Sequence, residues 1–267
     1  MSKFIDKLKQ SSQMALQPVG FRTTLTSSIK PRMLLVAVLP EAGVNGLSDY
    51  VEDADAGLLL AAGLSSGIKK LGKVTPDVPA IPWGVWLKDN SGGGVKTLPK
   101  TGGDFIVFQE TSTPLAFDSI DKVGKILEVA ASLNEGFLRA VNELPIDAVL
   151  VNGEKKGSLT WHDLILYQRL TGLLTKPVLV SVPQEITAVE LQMLWDVGMA
   201  GILAEVDVTK SAGGIKDIHG KIAKLSLPTS DKRGKAGMLL PHINVEKNIL
   251  TDTEEEEDEY LRASMRG

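Results

Sequence analysis

Residues 144–208 limit what this chain can fold into more than any other stretch. They hold three short runs that are apolar without alternation: Leu144-Pro-Ile-Asp-Ala-Val-Leu-Val-Asn152, Lys176-Pro-Val-Leu-Val-Ser-Val-Pro183 and Ala200-Gly-Ile-Leu-Ala-Glu-Val-Asp-Val208. Two amphipathic segments separate them. A strand that is apolar on both faces is buried on both faces, which is the condition of a parallel sheet covered by helices. The stretch therefore predicts strand, helix, strand, helix, strand.

The same rhythm runs through the upstream half. Residues 33–39 read as a buried strand ended by Pro40, 55–61 as a second, and 80–87 as a third in which Pro82 and Gly84 are out of place. Residues 104–109 and 125–130 supply the fourth and fifth, and 147–152, 177–182 and 201–206 the last three. Helices are predicted at 44–51, 134–144, 160–174, 187–197 and 215–225, with Ser65 placed to cap a brief one through Leu71. The helix at 160–174 carries Trp161, Leu164, Ile165, Tyr167 and Leu174 as a broad apolar stripe, and that at 134–144 has Phe137, Leu138 and Val141 on one side. Thr187 and Glu190 have capping-box spacing. Residues 88–101 read as a loop and 112–121 as a turn or short helix. Near the N-terminus Phe4, Ile5 and Leu8 recur at helical spacing among charged residues. That pattern predicts a helix that plugs or flanks the sheet, with a membrane-surface or partner-binding helix as the alternative.

Eight strand candidates in roughly 200 residues match the count and size of a (β/α)8 barrel. There is also an internal echo. Asp53-Ala-Asp-Ala-Gly-Leu-Leu-Leu and Asp196-Val-Gly-Met-Ala-Gly-Ile-Leu each read as a helix end, a small-residue turn and a strand. These joints resemble those of TIM barrels of the aldolase and phosphate-binding type, and the resemblance implies a TIM barrel with its site at the C-terminal ends of the strands. A doubly wound open sheet is the competing fold if the third and fourth strands fail. The expected organisation is an N-terminal helix and lead-in over 1–30, a barrel over 31–226 and a C-terminal extension over 227–267. In that extension 237–243 can dock as an extended piece, while 251–259 is an acidic block that reads as a solvated tail, with partner binding as its alternative.

Composition removes several classes of function. The net charge of −4 and pI near 5.5 argue against nucleic acid, which calls for a basic face. With no cysteine, disulfides, thiolate metal sites and a cysteine nucleophile are excluded. No run approaches the roughly 18 apolar residues of a membrane span. Residues 1–13 lack the apolar core of a signal peptide, so the cytoplasm is the expected compartment.

In a barrel, chemistry sits on the loops after the strands. Those ends form a carboxylate-rich rim that includes Gln109, Glu110, Asn152, Ser181 and Asp207. Glu128 and Glu205 stand inside otherwise apolar strands, where a carboxylate is expensive to bury without a partner. They are read, with Lys88, as an acid–base set around a small ligand. The competing reading turns both glutamates outward, between sheet and helices, to pair with a nearby Lys or Arg. A Schiff-base aldolase needs a lysine in a desolvated pocket near a strand end; Lys125 is at the wrong end of its strand and Lys88 lies just past the third. A metallohydrolase needs histidines at strand ends, whereas His162 and His219 fall on helices. Carboxylate-bound Mg²⁺ stays open. Phosphate or flavin binding calls for glycines that lead into a helix N-terminus after the last two strands. Pro183-Gln-Glu departs from that pattern, and Ser211-Ala-Gly-Gly214 fits it, which makes Gly213 and Gly214 the cofactor-binding candidates. No cofactor can be named. Ser91-Gly-Gly-Gly94 lacks a P-loop context and reads as a flexible loop over the mouth. Trp83 and Trp86, three apart, are expected on opposite faces of the sheet and in the core.

Two functions follow as expectations. One is an enzyme or binder of a small phosphorylated or carboxylated metabolite, using carboxylates at the barrel mouth. The other is a non-catalytic barrel acting as a partner or scaffold subunit. A small anionic metabolite, a second copy of the chain or another protein are the partners considered; nucleic acid and membrane are not.

Overall fold

The computed structural model describes residues 2–13, 32–40, 50–78, 80–88, 95–111, 122–152, 157–206 and 213–226. Most of the helix expected at 44–51, the turn at 112–121, the glycine run at 91–94 and everything after 226 lie outside the described residues.

Eight strands pair in chain order, all parallel: β1 (Leu34–Leu39), β2 (Ala56–Ala61), β3 (Trp83–Leu87), β4 (Gly103–Gln109), β5 (Gly124–Ala130), β6 (Ala148–Asn152), β7 (Val178–Val182) and β8 (Gly201–Glu205). β8 also pairs with β1, with Leu34 opposite Gly201 and Val38 opposite Glu205. That last pairing closes the sheet into a TIM barrel and excludes the open doubly wound alternative.

Side-chain alternation splits each strand between two cores. Even-numbered positions on β1, β2, β3, β6 and β5, including Val36, Leu58, Trp86, Leu150 and Ile126, belong to the barrel interior. Their neighbours Leu35, Leu59, Val85, Val149 and Leu127 belong to the layer between sheet and helices. Trp83 and Trp86 fall in different layers, as their spacing predicts. Glycines within the strands make room for a neighbour's side chain. A methyl group at Gly57 would lie 2.3 Å from the Trp83 ring, and one at Gly84 would lie 2.4 Å from the Phe105 ring. At Gly124 it would lie 2.4 Å from Ile5 Cγ1.

Ile5 belongs to α1 (Lys3–Gln13), which plugs the barrel. Phe4, Ile5 and Leu8 are buried in the interior core, and the Phe4 and Phe105 rings are 4.6 Å apart. The helix start is held by Asp104 at the beginning of β4. Its carboxylate accepts from Ser2 Oγ (2.7 Å), Lys3 N–H (2.8 Å) and Phe4 N–H (2.9 Å). Farther along α1, Lys9 Nζ meets Asp147 at 3.0 Å. Of the two readings of this segment, the plug is the one observed.

The outer helices are α2 (Leu64–Asp77), α3 (Glu135–Glu143), α4 (Trp161–Leu173), α5 (Ala188–Asp196) and α6 (Gly213–Ile222). Thr160 and Thr187 each form the reciprocal capping box with an acid three residues on, Asp163 and Glu190. After α5, Gly198 takes φ +97, a conformation that lets Gly198 and Met199 donate to the carbonyls of Trp195 and Leu194. The chain then enters β8 at once.

Several expected details differ. α2 runs to Asp77 rather than stopping at Leu71: Leu71 and Val74 both pack on the outer core, and Val78 N–H still reaches the Val74 carbonyl past Pro76. β3 begins at Trp83, after Pro82, so that proline stands outside the strand. Residues 95–101 form a 3₁₀ helix rather than a loop. On α3 the buried side is Leu138 and Val141, and Phe137 is 58% exposed. On α4 the buried side is Leu164, Tyr167 and Leu170, spaced by three, which leaves Ile165 about 100° round the helix and 65% exposed. Trp161, the first residue of that helix, is 74% exposed.

Candidate functional site at the barrel mouth

The interior parity of the strands decides which polar side chains reach the mouth. Trp86 faces inward on β3, so Lys88, two residues on, shares its side. Ile126 faces inward on β5, which places Glu128 inside, and Leu150 does the same for Asn152 on β6. Leu203 sets Glu205 inward on β8. Neither glutamate takes the outward position between sheet and helices. Leu60, Trp86, Lys88, Gln109, Glu128, Asn152 and Glu205 line one pocket of about 290 Å³ at the C-terminal ends of β2 to β6 and β8.

Glu128 is the buried member, 6% exposed. Each of its carboxylate oxygens accepts one hydrogen bond from a neighbouring strand. Trp86 Nε1–H donates to Oε2 at 2.7 Å, and Asn152 Nδ2–H donates to Oε1 at 2.6 Å. Both donors lack any acceptor function at those atoms, so they fix the carboxylate plane without competing for its remaining lone pairs. Glu205 is half-buried and Lys88 exposed at the rim. The described lining thus carries two carboxylates and one ammonium group.

Trp86 is a participant that its sequence context concealed. It sits in an apolar strand and reads as core, yet its indole N–H orients the buried glutamate. The clue available in the sequence is its even spacing from Lys88.

Gly213 and Gly214 stand apart from the pocket lining. They are the first two residues of α6, so the helix begins at the glycines rather than after them. Gln184, from the segment after β7, occupies the approach: its Cδ lies 3.4 Å from where a Gly214 Cβ would be, and its Nε2 donates to the Glu205 carbonyl at 2.7 Å. His162 lies on α4 and His219 on α6, neither of them in the pocket lining, and His242 is outside the described residues. Among the described residues no group of three or more acidic or histidine side chains is placed to hold a metal ion. Nor is any described helix long and apolar enough to cross a membrane.

Fold and site together define a TIM barrel with a polar pocket at its C-terminal mouth. Among solved structures it is similar to mutant forms of the tryptophan synthase alpha-subunit from the hyperthermophile Pyrococcus furiosus. Two of these share 13% identity and a third 12%, each with a TM-score of 0.58 and each covering 73% of this chain and 98% of its own. At that identity the likeness is one of fold. No protein-family model matches the sequence, and no curated protein matches it.

Proposed function

We propose that this barrel binds and acts on a small carboxylated or phosphorylated metabolite at its C-terminal mouth. Glu128 and Glu205 serve as the acid–base carboxylates and Lys88 holds the anionic group. The observation that carries this reading is Glu128 itself. A carboxylate in the wall of a cavity, almost out of contact with water and held by one donor on each oxygen, is costly to maintain for stability alone. Such preorganisation is what binding and proton transfer require. Gly213 and Gly214 add a position for a phosphate at the start of α6, where helix N–H groups favour an anion, provided Gln184 moves aside.

A thermal-shift panel of phosphorylated sugars, keto acids, hydroxy acids, amino acids and flavin mononucleotide tests the proposal. A ligand that binds only the native state raises Tm by mass action. We expect a hit that is lost in Glu205→Gln and in Lys88→Met. A well-folded protein silent to the whole panel rejects it.

A second reading, a non-catalytic partner or scaffold subunit, draws on a different observation. Phe137, Trp161, Ile165 and Val189 on α3, α4 and α5 are each more than half exposed. Under that reading the purified chain self-associates or gains a partner through these helices, which light scattering of wild type against Trp161→Ser would detect.

A further inference from the structure

The pocket holds a buried carboxyl group with no counter-charge beside it among the described residues. Among the described residues the only partners of the Glu128 carboxylate are two neutral donors, Trp86 and Asn152, and no lysine, arginine or histidine stands at ion-pairing distance from it. Lys88 lines the same cavity without reaching that carboxylate. An ionised group taken out of water without a counter-charge is destabilising by several kcal/mol unless something else supplies the charge. Here the carboxylate borders a cavity that opens to solvent, and an entering molecule can supply it.

We propose that the ligand of this pocket carries a primary ammonium group, which pairs with Glu128, together with a carboxylate, which pairs with Lys88: an amino acid or a close relative of one. This deepens the proposed function and rests on the same pocket. Three observations select that chemistry. The unoccupied lone pairs of Glu128 call for an N–H donor bearing positive charge, because both existing donors are neutral. The single described cation in the lining suits one carboxylate better than a phosphate dianion, which would face two glutamates and one lysine. Leu60 and the ring of Trp86 leave one apolar wall for a side chain, and the cation is also favoured beside an indole face. About 290 Å³ accommodates a molecule of that size. With Glu128 engaged by the ammonium group, Glu205 is the carboxylate left for proton transfer.

Matched ligand pairs test this on the unmodified protein. Titration calorimetry and thermal shift would compare L-alanine with L-lactate, L-serine with glycerate, and L-glutamate with 2-hydroxyglutarate, alongside Mg²⁺ and K⁺ as bare cations. The expected result is that at least one amino acid binds ten times more tightly, or better, than its hydroxy-acid counterpart. Glu128→Gln should abolish that preference, and Lys88→Met should weaken the amino acid without restoring the hydroxy acid. Because the pairs are compared on wild type, the test survives if Glu128→Gln fails to fold. Hydroxy acids or phosphorylated sugars binding as well as, or better than, every amino acid would overturn the ammonium assignment and leave the pocket as the working site. Binding of a bare cation with no amino-acid response would overturn it too. Silence of every probe would reject the pocket reading along with it.

Discussion

A methyl group at position 84 would lie 2.4 Å from the Phe105 ring, with two more ring carbons at 2.6 Å. The ring is 1% exposed and packed at a tilt against Phe4, so it has little room to retreat. Gly84→Ala should therefore destabilise the barrel by about 1–3 kcal/mol, the usual cost of overpacking. Urea unfolding would read the loss, and Phe105→Leu in the same chain should recover part of it. If Gly84→Ala unfolds at the wild-type midpoint, the ring is not confined as described. The glycine in strand three, which in sequence counts against a strand, is there because a neighbour's ring crosses it. The same scale shows what of the pocket was legible. Glu128 and Glu205 stand out in sequence because they are charged in apolar runs. The direction they face does not, because a strand apolar on both sides carries no alternation from which to read inside and outside. Asn152 and Gln109 sit at strand ends where polarity is ordinary, and Trp86 is hidden by the very apolarity that makes its strand easy to find.

Among the elements, α1 depends on a residue far from it. Asp104 accepts three hydrogen bonds at the helix start, two of them from backbone N–H groups that would otherwise be unsatisfied. Asp104→Ala should cost about 0.5–2 kcal/mol, as removal of a helix cap does. Hydrogen exchange should show the loss first in α1, with protection of β6 and β7 reduced later or not at all. Equal loss throughout would mean that α1 and the barrel open only together. On α5 the cap has a pH consequence. Burial pushes the Glu190 carboxyl up, but hydrogen bonds from the Thr187 N–H and hydroxyl and from Leu159 N–H, with Lys221 nearby, outweigh it and hold the group below its ordinary value. In the window between the folded and unfolded values the unfolded chain binds the extra proton, so stability rises with pH there. The contribution is complete above about pH 4.3, the ordinary glutamate value, and is lost as pH falls through the lower folded one. Glu190→Gln should be less stable than wild type near neutrality, and the gap should close as acid is added. A gap independent of pH would show that the carboxylate's charge plays no part. Helices proved readable where capping and periodicity agreed, as at Thr160 and Thr187. Their buried faces were less so: an apolar residue such as Phe137 or Ile165 keeps its place in the helical pattern while pointing at solvent.

Over the whole molecule, the alternation of apolar runs and amphipathic segments made the β/α architecture legible, and the small-residue joints at 53–60 and 196–203 placed two of its strand entries. Closure was legible only through the count of eight strand candidates, not through any one segment. A barrel and an open parallel sheet share their strands, helices and joints, and differ in one pairing, β1 with β8, between segments at opposite ends of the fold. No local pattern encodes a contact made across that distance. The chain is synthesised in one direction, and that gives the same contact, together with the Asp104 cap 100 residues beyond Phe4, a temporal meaning. The plug leaves the ribosome before the strands it packs on, with its apolar face bare, and finds its capping acid only once β4 has emerged. The first strand waits longer still, with one edge open until the eighth is made. During that interval the nascent chain exposes the surfaces that invite misassembly, an apolar helix and an unpaired strand edge. Folding of the barrel in the cell is therefore expected to end, not begin, at α1 and β1.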